Sequence, residues 1–125
     1  MIKDIRTKLI ELARLRTTWS YSQLNDQLEL GLNFSNPLDR DLIGEWLGEV
    51  SIHEFNNKRP ILSCLITHQY GLREQGDGFY KVCEKLYDED WEILKANKKW
   101  ENQLIADCYE YWLKPENFKN FKNDY

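Results

Sequence analysis

Apolar residues recur at helical spacing along most of the chain. In residues 2–16 an apolar residue returns every three or four positions, between charged and polar ones. This period predicts an amphipathic first helix that turns its apolar side to a core and its basic residues outward. The period stops at Thr17-Thr18-Trp19, where an extended segment is expected.

Two more helices have clear start signals. Ser20 and the glutamine three residues later fit a capping box for a short second helix that ends at Gly31. Asn36 fits an N-cap and Pro37 fits the first position of a third helix, which we expect to run to about Phe55. The apolar residues expected to pack on its core side are Leu38, Leu42, Ile43, Trp46, Leu47 and Val50.

Gly44 and Gly48 lie one turn apart on this third helix. A glycine inside a helix costs about 1 kcal/mol relative to alanine. We therefore expect close packing of another backbone against both glycines, and the alternative is a surface that a ligand approaches closely.

The second half of the chain begins with a short apolar run, ILSCLIT at 61–67, bounded by Pro60 and Gly71. Its length and residue types predict a buried strand. The following loop ends in GDG at 76–78, read as a turn with a helix cap, and a helix begins at about Phe79. A long C-terminal helix then starts after an acidic cap at 88–90 and stops at Pro115, with a polar middle, KANKKWEN, that kinks or breaks it.

Length and composition predict one domain. The chain has 125 residues, 42% of them hydrophobic and 14% aromatic, which suffices for a packed core without a metal, cofactor or disulfide. We place the domain at 1–114, followed by a polar C-terminal tail at 115–125 that either frays or docks. No apolar run approaches the ~20 residues of a membrane span, and no signal peptide is apparent, so a cytoplasmic location is expected.

Cys64 and His68 are the candidate catalytic residues of the chain. A nucleophilic thiol needs a base within hydrogen-bonding reach, but along a strand these two residues lie about 13 Å apart. The three cysteines are widely spaced and include no CxxC motif, so neither a disulfide framework nor a metal site is indicated. We expect Cys64 in the core and no enzymatic activity, and a small enzyme using Cys64 or His68 is the less favoured alternative.

The order of helix, short strand, helix, long helix, strand and loop is typical of a winged helix, within an α+β class that is mostly helical. TWSYSQLNDQLELG, DLIGEWLGEV and RPILSCLITHQYG with GDGFY resemble the winged-helix domain of alkylguanine-DNA alkyltransferases and alkyltransferase-like proteins. The resemblance implies a recognition helix at 41–50 and, over 59–80, a strand followed by a glycine-rich wing. Its Pro-Cys-His-Arg active site is missing, because Leu62 stands where the nucleophile would be, and its intercalating arginine is replaced by Asp41 or Glu45.

RPILSC, GDGFY and LIGEWLGEV also resemble small uncharacterised bacterial and phage domains, some of them near restriction or other defence nucleases. That resemblance implies a DNA-related or phage-host conflict setting.

The third helix is acidic, which conflicts with reading DNA. Its polar positions carry one arginine and five acidic residues, Asp39, Asp41, Glu45, Glu49 and Glu54. A helix in the major groove lies among phosphates, which repel carboxylates. We therefore predict a non-enzymatic interaction module, an inhibitor that covers a basic patch of a nucleic-acid-binding protein or nuclease with these acids and the aromatic residues of the C-terminal helix.

The alternative function is a DNA-binding winged helix, either a regulator or a lesion sensor. The chain as a whole is acidic, with a net charge of −4, so any contact with duplex DNA would depend on local cations. The candidates in the first helix and near the wing are Arg14, Arg16, Lys58, Arg59 and Arg73.

Overall fold

Helices make up most of the computed structural model, which describes residues 2–67 and 77–125. The described residues form α1 (Ile2–Arg14), α2 (Tyr21–Gln27), α3 (Pro37–Asn56), α4 (Asp77–Tyr87), α5 (Trp91–Ala96), α6 (Lys98–Leu113) and α7 (Pro115–Phe121). With one small sheet, this confirms the predicted mostly helical α+β class. No helix within the described ranges is both long enough and apolar enough to cross a membrane.

Helix α1 lies at the centre of the packing. Its apolar stripe, including Ile5, Leu9 and Leu12, is almost completely buried, and the helix contacts α3 and α6. The predicted periodicity is therefore confirmed. The prediction that all basic residues of this helix face outward is wrong for Arg6, which is only 1% exposed.

The predicted start signals of α2 and α3 are confirmed. The Ser20 hydroxyl accepts a hydrogen bond from the Gln23 amide at 3.1 Å, and the Gln23 side chain accepts one from the Ser20 amide at 2.8 Å. The Asn36 side chain accepts a hydrogen bond from the Leu38 amide at 3.0 Å. Leu38 itself is 74% exposed, so its predicted core position is wrong.

The run ILSCLIT is not the continuous strand that its composition predicts. Leu62–Leu65 form a 3₁₀-helix, and only Ile66–Thr67 form a strand, β2, which pairs in parallel with β1 (Trp19–Ser20). The run is surrounded by α1, α3 and α6, so most of it has no neighbouring strand, and a 3₁₀ turn satisfies main-chain groups locally. Residues 68–76, which include His68 and most of the predicted wing, lie outside the described residues.

The predicted long C-terminal helix is divided in two at Asn97. The side chain of Asn97 caps α6 by accepting a hydrogen bond from the Trp100 amide at 3.1 Å. After α6, residues 115–121 form α7, which packs back on α6. The polar segment at 115–125 therefore docks on the domain, the second of the two alternatives for it.

Candidate functional site

A groove of about 1020 Å³ runs beside α3, bordered by the beginnings of α2 and α4. Two adjacent stripes of α3 form one wall of the groove. The first consists of residues 40, 44, 48 and 52, and the second consists of residues 41, 45 and 49. The floor is largely apolar and includes Ile43, Leu47, Phe34, Phe79 and Val82. A groove of this kind suits an occupant that has an apolar face.

Three carboxylates form one edge of the groove. Asp41, Glu45 and Glu49 follow one another at intervals of four residues, so they stand in a row along α3, here called the acidic ridge. All three are exposed, and none has an ion-pair partner among the described residues. Like charges four residues apart on a helix are destabilising by about 0.2–0.5 kcal/mol per pair. The ridge therefore carries a small cost that no described contact offsets.

The remaining charges of the groove leave it acidic. Asp77, the first residue of α4, adds a fourth carboxylate to the lining and forms an exposed ion pair with Lys95 at 2.6 Å. Arg40 supplies the cation among the described lining residues. Among the described lining residues, carboxylates thus outnumber cations around the apolar floor.

The two glycines of α3 both lie in the groove but differ in their surroundings. At Gly48, an added Cβ would lie 3.5 Å from a methyl group of Val82, so this glycine packs against a side chain of α4. At Gly44, an added Cβ would meet nothing within 4 Å, and the residue is exposed. The prediction that another backbone packs closely on both is wrong, and Gly44 has no described neighbour that requires a glycine.

Two of the five predicted partner-binding acids do not lie in the groove. Asp39 accepts a hydrogen bond from the Asn33 amide at 2.8 Å and so holds the loop that precedes α3. Glu54 is completely buried, so its prediction as an exposed contact is wrong. It sits on the side of α3 that faces α1, where the helical period predicts a core position for an apolar residue.

Glu54 is the centre of a buried ion-pair network with Arg6 and Arg59, here called the arginine cluster. Each guanidinium donates two hydrogen bonds to the carboxylate, with its Nε atom 2.9 Å from a carboxylate oxygen in both cases. Arg6 also donates to the main-chain oxygens of Phe121 and Lys122, both at 2.9 Å. The cluster therefore joins α1, α3 and the C-terminal segment.

The arginine cluster extends to the surface through Asp124. Arg59 donates a hydrogen bond to this carboxylate at 2.7 Å, which lowers the pKa of Asp124. Burial opposes the charged form of Arg59, but its bonds to Glu54 and Asp124 outweigh that effect and raise the pKa of Arg59. Arg59 therefore stays charged at neutral pH, and its charge is paired within the molecule.

Two of the four described candidates for DNA-binding cations are engaged or buried. Arg59 is 5% exposed, so its prediction as a nucleic-acid contact is wrong. Arg14 donates a hydrogen bond to the Trp112 main-chain oxygen at 2.9 Å and lies 3.9 Å from the centre of the Phe118 ring. Arg16 and Lys58 are exposed and follow the ends of α1 and α3, whereas Arg73 lies outside the described residues.

All three cysteines are buried. Cys64 and Cys108 place their sulfur atoms 3.6 Å apart and both donate to the Ile61 main-chain oxygen. Burial raises the pKa of Cys64 well above its ordinary value and that of Cys83 to about 12. The predicted core position of Cys64 is confirmed. The part of the chain that the structure describes contains no group of three or more side chains placed to hold a metal.

The aromatic residues of the groove do not lie on the C-terminal helix, where the sequence predicts them. The prediction takes it from the C-terminal helix, but Trp112 is fully buried and the described lining includes no residue of α6. Among the described lining residues, the aromatic rings belong to Tyr21, Phe34 and Phe79. No periodic signal marks Phe34, which lies in the loop before α3. Spacing along one helix does not reveal such a site because its walls come from distant segments.

Comparisons of the chain with protein-family models, with curated proteins and with solved structures found no match.

Proposed function

We propose that this chain is a cytoplasmic, non-enzymatic protein-binding module that uses the groove along α3 to bind a basic surface of another protein. The acidic ridge and the apolar floor beside it would supply complementary charge and buried area, respectively. Two of the predicted contacts, Asp39 and Glu54, are replaced in this proposal by the groove residues Tyr21, Phe34 and Phe79.

The observation that carries the proposal is the row formed by Asp41, Glu45 and Glu49 along an apolar groove. Elsewhere on α3, the acidic residues Asp39 and Glu54 have hydrogen-bond partners within the chain. The ridge has none among the described residues, and its mutual repulsion slightly weakens the helix. Local costs without an internal benefit concentrate at functional sites, because the benefit is realised in the complex.

The partner class follows from the charge that the groove requires. Proteins that bind nucleic acid present Lys and Arg to phosphates, so their binding surfaces are cationic. A chain that covers such a surface with carboxylates would exclude the nucleic acid by direct competition. We propose a nucleic-acid-binding protein or nuclease as the partner and a DNA-related or phage-host conflict as the setting.

A winged-helix relationship is part of the same proposal. The order α1, β1, α2, α3 and β2 is the order that motivates it. In such a domain, carboxylates on the outer side of α3 would repel the phosphates of DNA. We therefore propose that this domain binds a protein where other winged helices bind DNA.

Affinity capture with the purified chain, followed by competition, tests the function. The protein captured by the wild type, but not by a Glu45→Lys/Glu49→Lys variant, is expected to be basic and to bind nucleic acid. Adding the wild-type chain should then release that partner from labelled duplex DNA, and the variant should fail to do so. Capture that is equal for both chains would contradict the proposal.

Direct DNA binding is measured in parallel, since it is the alternative function. Fluorescence anisotropy with labelled duplex DNA at low salt should show no saturable binding below about 1 µM, because the acidic groove repels phosphates. Sub-micromolar binding that weakens as salt rises would overturn the proposal in favour of the DNA-binding alternative.

A further inference from the structure

We infer that the occupant of the groove is an amphipathic α-helix of the partner, about three turns long, with Lys or Arg along one edge of an apolar stripe. This inference rests on the proposed function and specifies the partner's recognition element. It follows from the shape of the groove, its backbone chemistry and the spacing of its charges.

The dimensions of the groove suit a helix. Its α3 wall extends from Arg40 to Ile52, a length of about 18 Å at the ~1.5 Å rise of an α-helix. A partner helix of about 12 residues would run the whole length and bury one face. Ile52 is 43% exposed at the end of this wall, so it offers an apolar contact to the last turn of such a helix.

The backbone around the groove is unsuited to an extended peptide. Binding a peptide as an added strand requires unpaired main-chain donors and acceptors along a sheet edge. The α3 wall has its main-chain groups bonded within the helix, and at the α2 side the Ser20 amide donates to the Gln23 side chain. The groove therefore binds side chains, as do grooves that receive a helix.

Gly44 explains how a helix would come close to α3. The distance between packed helix axes is 8–10 Å and depends on the side chains at the contact. Gly44 leaves a recess in the groove wall, and its surroundings are open, so no described contact within the chain accounts for the missing side chain. A helix from a partner that crosses α3 at Gly44 would fill the recess and give the glycine a physical role.

The acidic ridge specifies where the partner's cations stand. Consecutive members of the ridge, Asp41, Glu45 and Glu49, lie about 6 Å apart along the helix axis. Lys or Arg residues at intervals of four on a packed helix repeat at the same distance, so the two rows can pair in register. A second copy of this chain is a poor occupant because its net charge is −4.

Two synthetic peptides of about 14 residues with the same Lys, Leu and Ala composition test the inference on the wild-type chain. One carries Lys every four residues beside a Leu stripe at helical spacing, and in the other the same residues are reordered so that its Lys and Leu residues alternate at strand spacing, with the Ala residues outside that segment. Fluorescence anisotropy at about 0.1 M salt should give at least about tenfold tighter binding of the helical peptide. Equal affinities, or tighter binding of the alternating peptide, would overturn the inference.

Gly44→Leu provides the second test because it fills the recess without changing charge. The open space around Gly44 predicts that this variant folds, and its thermal midpoint should be no lower than that of the wild type. It should bind the helical peptide at least about tenfold more weakly. Ala106→Leu, which places the same leucine side chain at an exposed position on α6, is the control and should bind like the wild type. Wild-type affinity in Gly44→Leu would overturn the inference.

The binding measurements distinguish a wrong assignment of the helical occupant from a wrong function. If Glu45→Lys/Glu49→Lys weakens both peptides while Gly44→Leu weakens neither, the acidic groove remains a binding site and only the helical occupant is wrong. If neither peptide binds the wild type, or if the charge reversal changes neither affinity, the proposed function itself is wrong. A sedimentation measurement that shows dimers sensitive to Gly44→Leu would identify a second copy as the occupant and overturn the partner assignment.

Discussion

The two sides of α3 use the same chemical group for opposite purposes. On the side facing α1, the Glu54 carboxylate is buried and accepts four hydrogen bonds from two guanidinium groups. On the groove side, the acidic ridge is exposed and lacks an ion-pair partner within the described ranges. Glu49 and Glu54 are only five residues apart, so it is the surroundings that decide which carboxylate is buried and paired and which is exposed.

Burying a charged side chain is tolerated only when all of its ion-pair partners are present. Buried ions lose several kcal/mol of hydration each, which only a well-formed pair offsets, so removing one partner leaves a large uncompensated cost. Exposed carboxylates keep their hydration and can be changed at little cost to the fold. Substitutions on the two sides of α3 should therefore affect different measurements.

The largest expected effect is that of Glu54→Gln. The amide keeps the shape of the side chain but leaves the buried Arg6 guanidinium without a counter-charge and Arg59 with the exposed Asp124 alone, so the free energy of unfolding should fall by about 3–5 kcal/mol. In a thermal melt followed by circular dichroism, the midpoint should fall by roughly 10–20 °C. Glu45→Gln, the same change on the ridge, should shift the free energy of unfolding by less than about 0.5 kcal/mol. Equal effects of the two substitutions would remove the distinction between the two sides.

The next effect concerns binding rather than stability. Glu45→Lys/Glu49→Lys should weaken binding of the helical peptide by at least about tenfold, because attraction becomes repulsion at two positions. Its free energy of unfolding should be unchanged or rise by a few tenths of a kcal/mol, since the repulsion along the ridge is relieved. Glu92→Lys/Glu110→Lys changes the net charge equally at exposed sites on α5 and α6. If that control weakens binding as much, net charge and not the ridge governs affinity.

A smaller effect, on stability, is expected from Gly44→Ala. Alanine restricts the unfolded chain more than glycine does, and its Cβ meets no described atom within 4 Å, so the free energy of unfolding should rise by about 0.5–1 kcal/mol. Urea unfolding measures the change. Ala106→Gly on α6 is the inverse control and should lower stability by a similar amount. A loss of stability in Gly44→Ala would show that the fold itself requires this glycine.

The smallest effect is expected at Asp124, the exposed end of the arginine cluster. The hydrogen bond from Arg59 lowers the pKa of Asp124 below its ordinary value of 3.8, so the stability it contributes is complete above that pH. It is lost as the pH falls through the lowered pKa. The thermal midpoint of Asp124→Asn should therefore lie slightly below that of the wild type at pH 7, with the gap closing as the pH falls below 3.8 and through the lowered pKa. A gap that stays constant down to pH 2 would exclude the charge as its cause.

The fold was most predictable where the signals are local. The capping box at Ser20 and the N-cap at Asn36 involve groups within three residues of each other, so their hydrogen bonds do not depend on the rest of the chain. The strand predicted at 61–67 failed because a strand needs a neighbour, and tertiary packing provides one only at Ile66–Thr67. For the site, the acidic ridge was visible in the spacing of α3, but the groove beside it was not.

By itself, the sequence determined the helical class, most helix starts, the buried cysteine and the acidic character of α3, because these depend on composition and on contacts between near neighbours. Only the tertiary structure decided which acids are available. Arg6 and Arg59, 53 positions apart, converge on Glu54 and make it part of the core. Packing of α2 and α4 beside α3 leaves Asp41, Glu45 and Glu49 over an open groove. The helical period assigns a residue to one face of its helix. Whether the charge of that residue is paired, buried or exposed depends on the segments that pack against the face, and these come from distant parts of the chain.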